Sequence, residues 1–204
     1  RRSGLGDRLR LLTNGLWLRD QPSEFWREVD EVHVSVYPNT ATHIERDRQA
    51  IIQAAQRSGT DVVFKRFDYF RIAFRHQNDY PDLTQDIYET CQIANRWRCI
   101  SVDAGRLYRC PQSMLVPDAQ TRLDDSLRIS EINSADAIRS WLLRAEALRS
   151  CGTCTGSAGL RHPHQPRVRG DVDQPATSID LDYLATLRID PDADNGCVST
   201  VEAP

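Results

Sequence analysis

The sequence predicts a mixed α/β fold, and three neighbouring stretches carry that prediction. Residues 31–37 alternate, with Val32, Val34 and Val36 on one face and His33, Ser35 and Tyr37 on the other, the period of a strand. Thr42, His43, Ile44 and Glu45 have the form of a capping box, and Ile44, Ile51, Ile52 and Ala55 then share one helical stripe that Gly59 ends. Residues 61–67 read as a further strand. Strand, helix and strand in this order imply parallel pairing through a right-handed crossover.

The remaining elements follow in chain order. Residues 9–18 begin as a short buried strand that breaks at the turn Thr13-Asn14-Gly15. From about Phe70 the character changes: Asn78 to Pro81 form a loop, and Asp82 with Gln85 can cap a short helix running to about Asn95. Residues 98–102 and 106–110 read as two strands joined across Asp103-Ala104-Gly105. Ser134 is an N-cap for a helix carrying Ile138, Leu142, Ala145 and Leu148, which delivers the chain to Cys151. Beyond about Gly170 the sequence is rich in Asp, Pro, Ser and Thr, and reads as a mobile tail with one weakly helical stretch at 181–187.

Composition narrows the function classes. The chain has 204 residues, 40% of them hydrophobic and 27% charged, which suffices for one sizeable domain or two small ones. No apolar run approaches the roughly 18 to 20 residues that a bilayer requires, and no secretory signal opens the sequence, so a cytoplasmic protein without membrane partners is expected. The 26 basic and 29 acidic residues are mixed along the chain for a net charge of −3, which argues against nucleic acid as the partner. Every basic residue except Lys65 is Arg, a composition bias before any functional preference. The only Met is Met114 and the sequence opens on Arg1-Arg2, so the chain is expected to be the later part of a longer protein.

Cysteines carry the chemistry. Six lie at positions 91, 99, 110, 151, 154 and 197, and five of them fall into two clusters. Cys151-Gly152-Thr153-Cys154 is a CxxC in which two intervening residues let both sulfurs turn to one centre, Gly152 allowing a tight bend. Together with the cysteines around the hairpin it makes a four-thiolate metal site, and metal or iron–sulfur ligation is favoured over disulfides.

Cys91, thirteen residues, Gly105, four residues, Cys110, forty residues and the Cys151/Cys154 pair form a spacing that resembles the auxiliary-cluster domain of radical S-adenosylmethionine enzymes. The closest form is the shortened twitch version of the SPASM domain. In the preceding segment, Leu-Leu-Thr-Asn-Gly resembles the third strand of the family's partial β/α barrel, and Val-His-Val-Ser-Val-Tyr-Pro-Asn its fourth. The likeness covers residues 9–165 and implies a partial barrel segment at 1–75, a small α+β cluster domain at 76–169 and a tail at 170–204.

The resemblance implies Cys91, Cys110, Cys151 and Cys154 as ligands of an auxiliary four-iron four-sulfur cluster. Cys99 competes with Cys91, whose place on a stripe with Leu83, Ile87 and Ala94 also suits a buried small hydrophobe. A barrel would turn His33, Ser35 and Tyr37 inward, and Ser35 and Asn14 become candidate contacts to S-adenosylmethionine; a polar lining and a plain Asn-Gly turn are the competing readings. His162 and His164, with Arg161, follow the CxxC as candidate ligands, donors to sulfur or substrate contacts, or as an exposed loop.

The family's CxxxCxxC motif, which holds the S-adenosylmethionine-cleaving cluster, is absent. The expected function is therefore that of a C-terminal portion, supporting electron transfer or substrate positioning and catalytically incomplete alone. S-adenosylmethionine would bind only in the complete protein, formed with a missing N-terminal half or a separate radical S-adenosylmethionine subunit. Its substrate would be a small molecule or peptide. Zinc accepts the same four thiolates, and with zinc the domain would be a binding module with no enzymatic role.

Overall fold

The computed structural model describes residues 7–73, 80–164 and 179–201. In chain order its elements are β1 (Arg10–Thr13), α1 (Ser23–Glu28), β2 (Glu31–Val36), α2 (Ala41–Ser58), β3 (Asp61–Phe67), β4 (Tyr69–Arg71), α3 (Pro81–Glu89), a π turn (Gln92–Arg96), β5 (Ser101–Asp103) and β6 (Arg106–Tyr108). They continue with α4 (Pro111–Leu115), α5 (Ala119–Asp124), β7 (Ser126–Arg128), α6 (Ala135–Leu142), a tight turn at Arg149–Gly152, β8 (Arg161–Pro163), α7 (Leu181–Ile189) and β9 (Val198–Val201). The chain is thus mixed α/β. It divides into two compact units, the first drawn from residues 1–70, 162–170 and 196–204, the second from 71–161 and 171–195.

In the first unit four strands form an open sheet in the order β1-β2-β3-β9 among the described residues. The β1–β2 and β2–β3 pairs are parallel, as strand, helix and strand dictate, with Val34 opposite Phe64 and Ser35 opposite Lys65. Val32, Val34 and Val36 are buried with Ile44, Ile51 and Ala55 of α2, so the apolar stripes of strand and helix form one core. Each valine and isoleucine among them contributes about 1.5–3 kcal/mol by leaving water. Gly59 ends α2 in the left-handed region, where its N–H reaches back to the last carbonyls of the helix.

Two expectations change here. Helix α2 begins at Ala41, so the anticipated box at Thr42 and Glu45 lies inside it; Thr40 instead turns its hydroxyl to the backbone of Tyr37. The segment from 170 to the end is not a uniform tail. Residues 170–178 lie outside the described residues, but α7 buries Leu184 and Leu187, and β9 pairs antiparallel with β3.

The second unit joins short elements. Strands β5, β6 and β7 form an antiparallel sheet whose first turn places Ala104 and Gly105 at φ of 45° and 73°, the left-handed pair a two-residue hairpin needs. Helix α3 stops at Glu89, short of the expected Asn95, and α6 stops at Leu142, short of Leu148. Ser134 caps α6 as read, accepting the Ala137 N–H.

Gly15 and Gly59 both hold positive φ, but a Cβ on Gly15 would stand 2.7 Å from Val34 Cγ1 and 2.8 Å from Ile44 Cδ1, whereas one on Gly59 meets open space. Gly15→Ala is therefore expected to destabilise the first unit by about 2–4 kcal/mol. Gly59→Ala should cost about 1 kcal/mol. Urea unfolding followed by far-ultraviolet circular dichroism measures the difference, and equal costs would contradict the packing argument.

Candidate metal centre

Each of four cysteines reaches one small cavity of the second unit from a different backbone device. After α3 the chain straightens at Cys91, which precedes the π turn; its sulfur lies near the N–H groups of Ile93 and Ala94, with the Ser157 hydroxyl 4.0 Å away. Cys110 follows the hairpin in extended conformation and precedes α4, Pro111 occupying the first helical position, so that its sulfur meets Gln112 and Ser113. Both cysteines occupy the position before a helical turn where a capping oxygen normally accepts orphan N–H groups, and neither makes a side-chain cap hydrogen bond there.

Cys151 rides on the Arg149–Gly152 turn. That turn is held from outside by Asp125, whose carboxylate accepts the N–H of Arg149 at 2.9 Å and of Ser150 at 2.8 Å. The Cys154 sulfur accepts the Gly156 N–H at 3.3 Å. Gly156 sits at φ 56°, and a Cβ there would stand 2.9 Å from Ile87 Cγ2 and 3.0 Å from the Ile87 carbonyl oxygen. Gly152 ends the Arg149–Gly152 turn without a positive φ, so the left-handed position lies at Gly156.

Cys91, Cys110, Cys151 and Cys154 line a cavity of about 10 Å³, walled by Ile87, Tyr88, Ile93 and Leu148. All four are buried free thiols. Burial pushes every one of them upward in pKa: Cys91 and Cys110 are raised, Cys151 is raised well above the ordinary value, and Cys154 reaches about 12. Negative charge on the other sulfurs adds to the shift at Cys151 and Cys154. The opposing influence is the set of N–H groups aimed at sulfur, which favours thiolate. Such a site holds thiols until a cation replaces the protons.

As the side chains stand, no group of three or more His, Cys, Asp or Glu residues among the described residues could hold a metal ion. The four sulfurs surround a small space without converging on a point. Their chemistry nonetheless fits a thiolate-bound group: four sulfurs, no carboxylate or imidazole in the lining, and directed N–H donors.

The other candidates lie elsewhere. Cys99 is half-buried, does not line the cavity, and gives its N–H to the Ile93 carbonyl at 3.0 Å. Cys197 belongs to the first unit. So do Asn14 and Ser35. Asn14 is exposed and its Oδ1 accepts the Leu16 N–H at 3.3 Å, closing the expected turn. Ser35 is half-buried on β2, whose neighbour His33 bonds Glu31 at 2.6 Å. His164 packs its ring on Tyr37 at 4.7 Å and Phe70 at 5.1 Å, and His162 lies 6.0 Å from Phe70. Both histidines thus join an aromatic group of the first unit, and neither lines the sulfur cavity.

Sequence reasoning missed Asp125, Gly156 and Ser157. A glycine two residues after the second cysteine of the CxxC was the available signal for Gly156; the other two act across 25 and 66 residues of chain and leave no local pattern. No family model and no curated protein matches the sequence.

Asp125→Ala leaves the N–H groups of Arg149 and Ser150 without their acceptor, an expected loss of about 2 kcal/mol from the second unit. Asp125→Asn, which keeps one acceptor oxygen, should lose less. Thermal unfolding of the two variants beside the parent checks the order, and an unchanged Asp125→Ala midpoint would remove Asp125 from the account of the Cys151 turn.

Proposed function

We propose that the second unit holds a four-iron four-sulfur cluster on Cys91, Cys110, Cys151 and Cys154. We further propose that the chain is the C-terminal portion of a radical S-adenosylmethionine enzyme, with this as its auxiliary cluster. The observation that carries the reading is the gathering of four buried sulfurs, from three separate stretches of chain, around one small cavity. A cluster gives each thiolate its own iron, so it asks less convergence of the sulfurs than one zinc ion, whose four ligands all lie about 2.3 Å from a single point.

When bound, the cluster supplies reversible one-electron chemistry. The chain's own residues set the conditions for it. Ile87, Ile93 and Leu148 keep water from the sulfurs, and the N–H groups of Ile93, Ala94, Ser113 and Gly156 withdraw charge from them. Both influences act on reduction potential. Free buried thiols suit the reducing cytoplasm. Among the described residues no helix is long and apolar enough to cross a membrane.

In the first unit the parallel strands β1, β2 and β3 with α2 between the last two support a section of β/α barrel, in which Ser35 and Asn14 would contact S-adenosylmethionine. Strand β1 is paired on one side only among the described residues, and Leu12 and Trp17 are 70% and 74% exposed, a sheet edge suited to further strands. Antiparallel β9 departs from the barrel repeat. The cleaving cluster would come from an N-terminal half or a separate subunit, and the substrate would be a small molecule or peptide.

Anaerobic reconstitution of the chain with iron and sulfide is expected to yield about four of each per chain, with broad visible absorption that dithionite bleaches. Cys→Ala at 91, 110, 151 or 154 should abolish uptake, and Cys99→Ala should leave it intact. Uptake displaces protons from the raised thiols, so it strengthens as pH rises from 6 to 8. A colourless protein with one zinc per chain and no iron after reconstitution would overturn the proposal.

A further inference from the structure

The second unit contains a larger cavity, of about 730 Å³, between the π turn and α6. That volume is in the range of small-molecule sites. One wall is apolar, formed by Ile100, Ile138, Leu142 and Leu143, with Ile100 and Leu143 left 45% and 60% exposed. The charge on the lining is one-sided: Arg98, Arg109, Arg139 and Arg144 stand against Glu89 alone, whose carboxylate already accepts Gln85 Nε2 at 2.8 Å.

Arg109 is the informative member. It is only 6% exposed, yet its recorded partners are neutral: Nη2 donates to the Tyr88 hydroxyl and the Arg144 carbonyl, and its guanidinium stands 5.2 Å from the centre of the Tyr88 ring. No carboxylate pairs with Arg98, Arg109, Arg139 or Arg144 among the described residues. A buried cation without a counter-charge is costly, and a guanidinium is shaped to take two oxygens of an anion. Arg109 lines this cavity and not the one between the sulfurs, although Tyr88 and Ala94 are walls of both.

We propose that the cavity binds a small amphipathic carboxylate, its head on Arg109 with Arg98 and Arg139 at the mouth, its apolar body on Ile100, Ile138, Leu142 and Leu143. The inference stands on this cavity and does not require the cluster. It adds a ligand site whose floor, Tyr88, also walls the sulfur cavity.

The test uses the full chain, with iron content assayed separately so that the two proposals fail independently. The probe is 8-anilinonaphthalene-1-sulfonate, an apolar body with an anionic head, and its comparator is N-phenyl-1-naphthylamine, the same body without the sulfonate. Fluorescence titration should show one saturable site for the anion, displaced by octanoate and not by octanol, with the neutral probe about tenfold weaker. Arg98→Gln and Arg139→Gln, both at exposed positions, should each weaken the anion about three- to tenfold, and Ala135→Glu, which places a carboxylate in the lining, should abolish its binding. Arg109→Gln is expected to have the largest effect; if it does not fold, the exposed variants decide. Equal affinity for the two probes, displacement by octanol as well as octanoate, or indifference to all three exposed substitutions would overturn the proposal.

Discussion

Four sulfur atoms buried together without a counter-charge form the constraint around which the second unit is arranged. Removing a charged group from water is expensive, so the sulfurs remain thiols, pushed upward in pKa by burial first and by one another second. The backbone places N–H groups near the sulfurs of Cys91, Cys110 and Cys154, and those donors favour charge that thiols do not carry. Short elements suffice here because each has only to place one sulfur and its donors. Asp125 extends the arrangement outward, fixing the turn that carries Cys151 from a neighbouring helix end.

The first unit rests on ordinary packing, and that is why more of it could be read from residues alone. Alternating valines, the stripe on α2 and the glycine after it are local patterns, and each left its element within a few residues of the expected place. Strand β9 was not legible, because its pairing is decided by β3 more than a hundred residues earlier. Strand β7 is shorter still, with only Leu127 apolar among Ser126, Leu127 and Arg128, and it exists through its ladder with β6.

At the cysteines, spacing indicated which sulfurs could meet, and chemistry indicated what they could hold. What spacing does not contain is the manner of arrival. Cys91 was read on a helical stripe; the helix ends before it, and Cys91 stands at the start of a second turn instead. The glycine of the CxxC was read as the bend and does end a tight turn; a second glycine, two residues past Cys154, is demanded by the close approach of Ile87. The arginine-lined cavity had no sequence signature, since its walls are drawn from residues 88 to 145 and its character lies in an absent carboxylate.

Strand β9 also fixes an order of events. The first unit takes its fourth strand from residues 198–201, after the second unit has been spelled out, so the cysteine-bearing unit is an insertion within the other. On a ribosome, all four sulfurs emerge before the sheet acquires its last strand. Until then β3 presents a bare edge, and a nascent chain halted just past position 195 would carry a finished insert on an unfinished host.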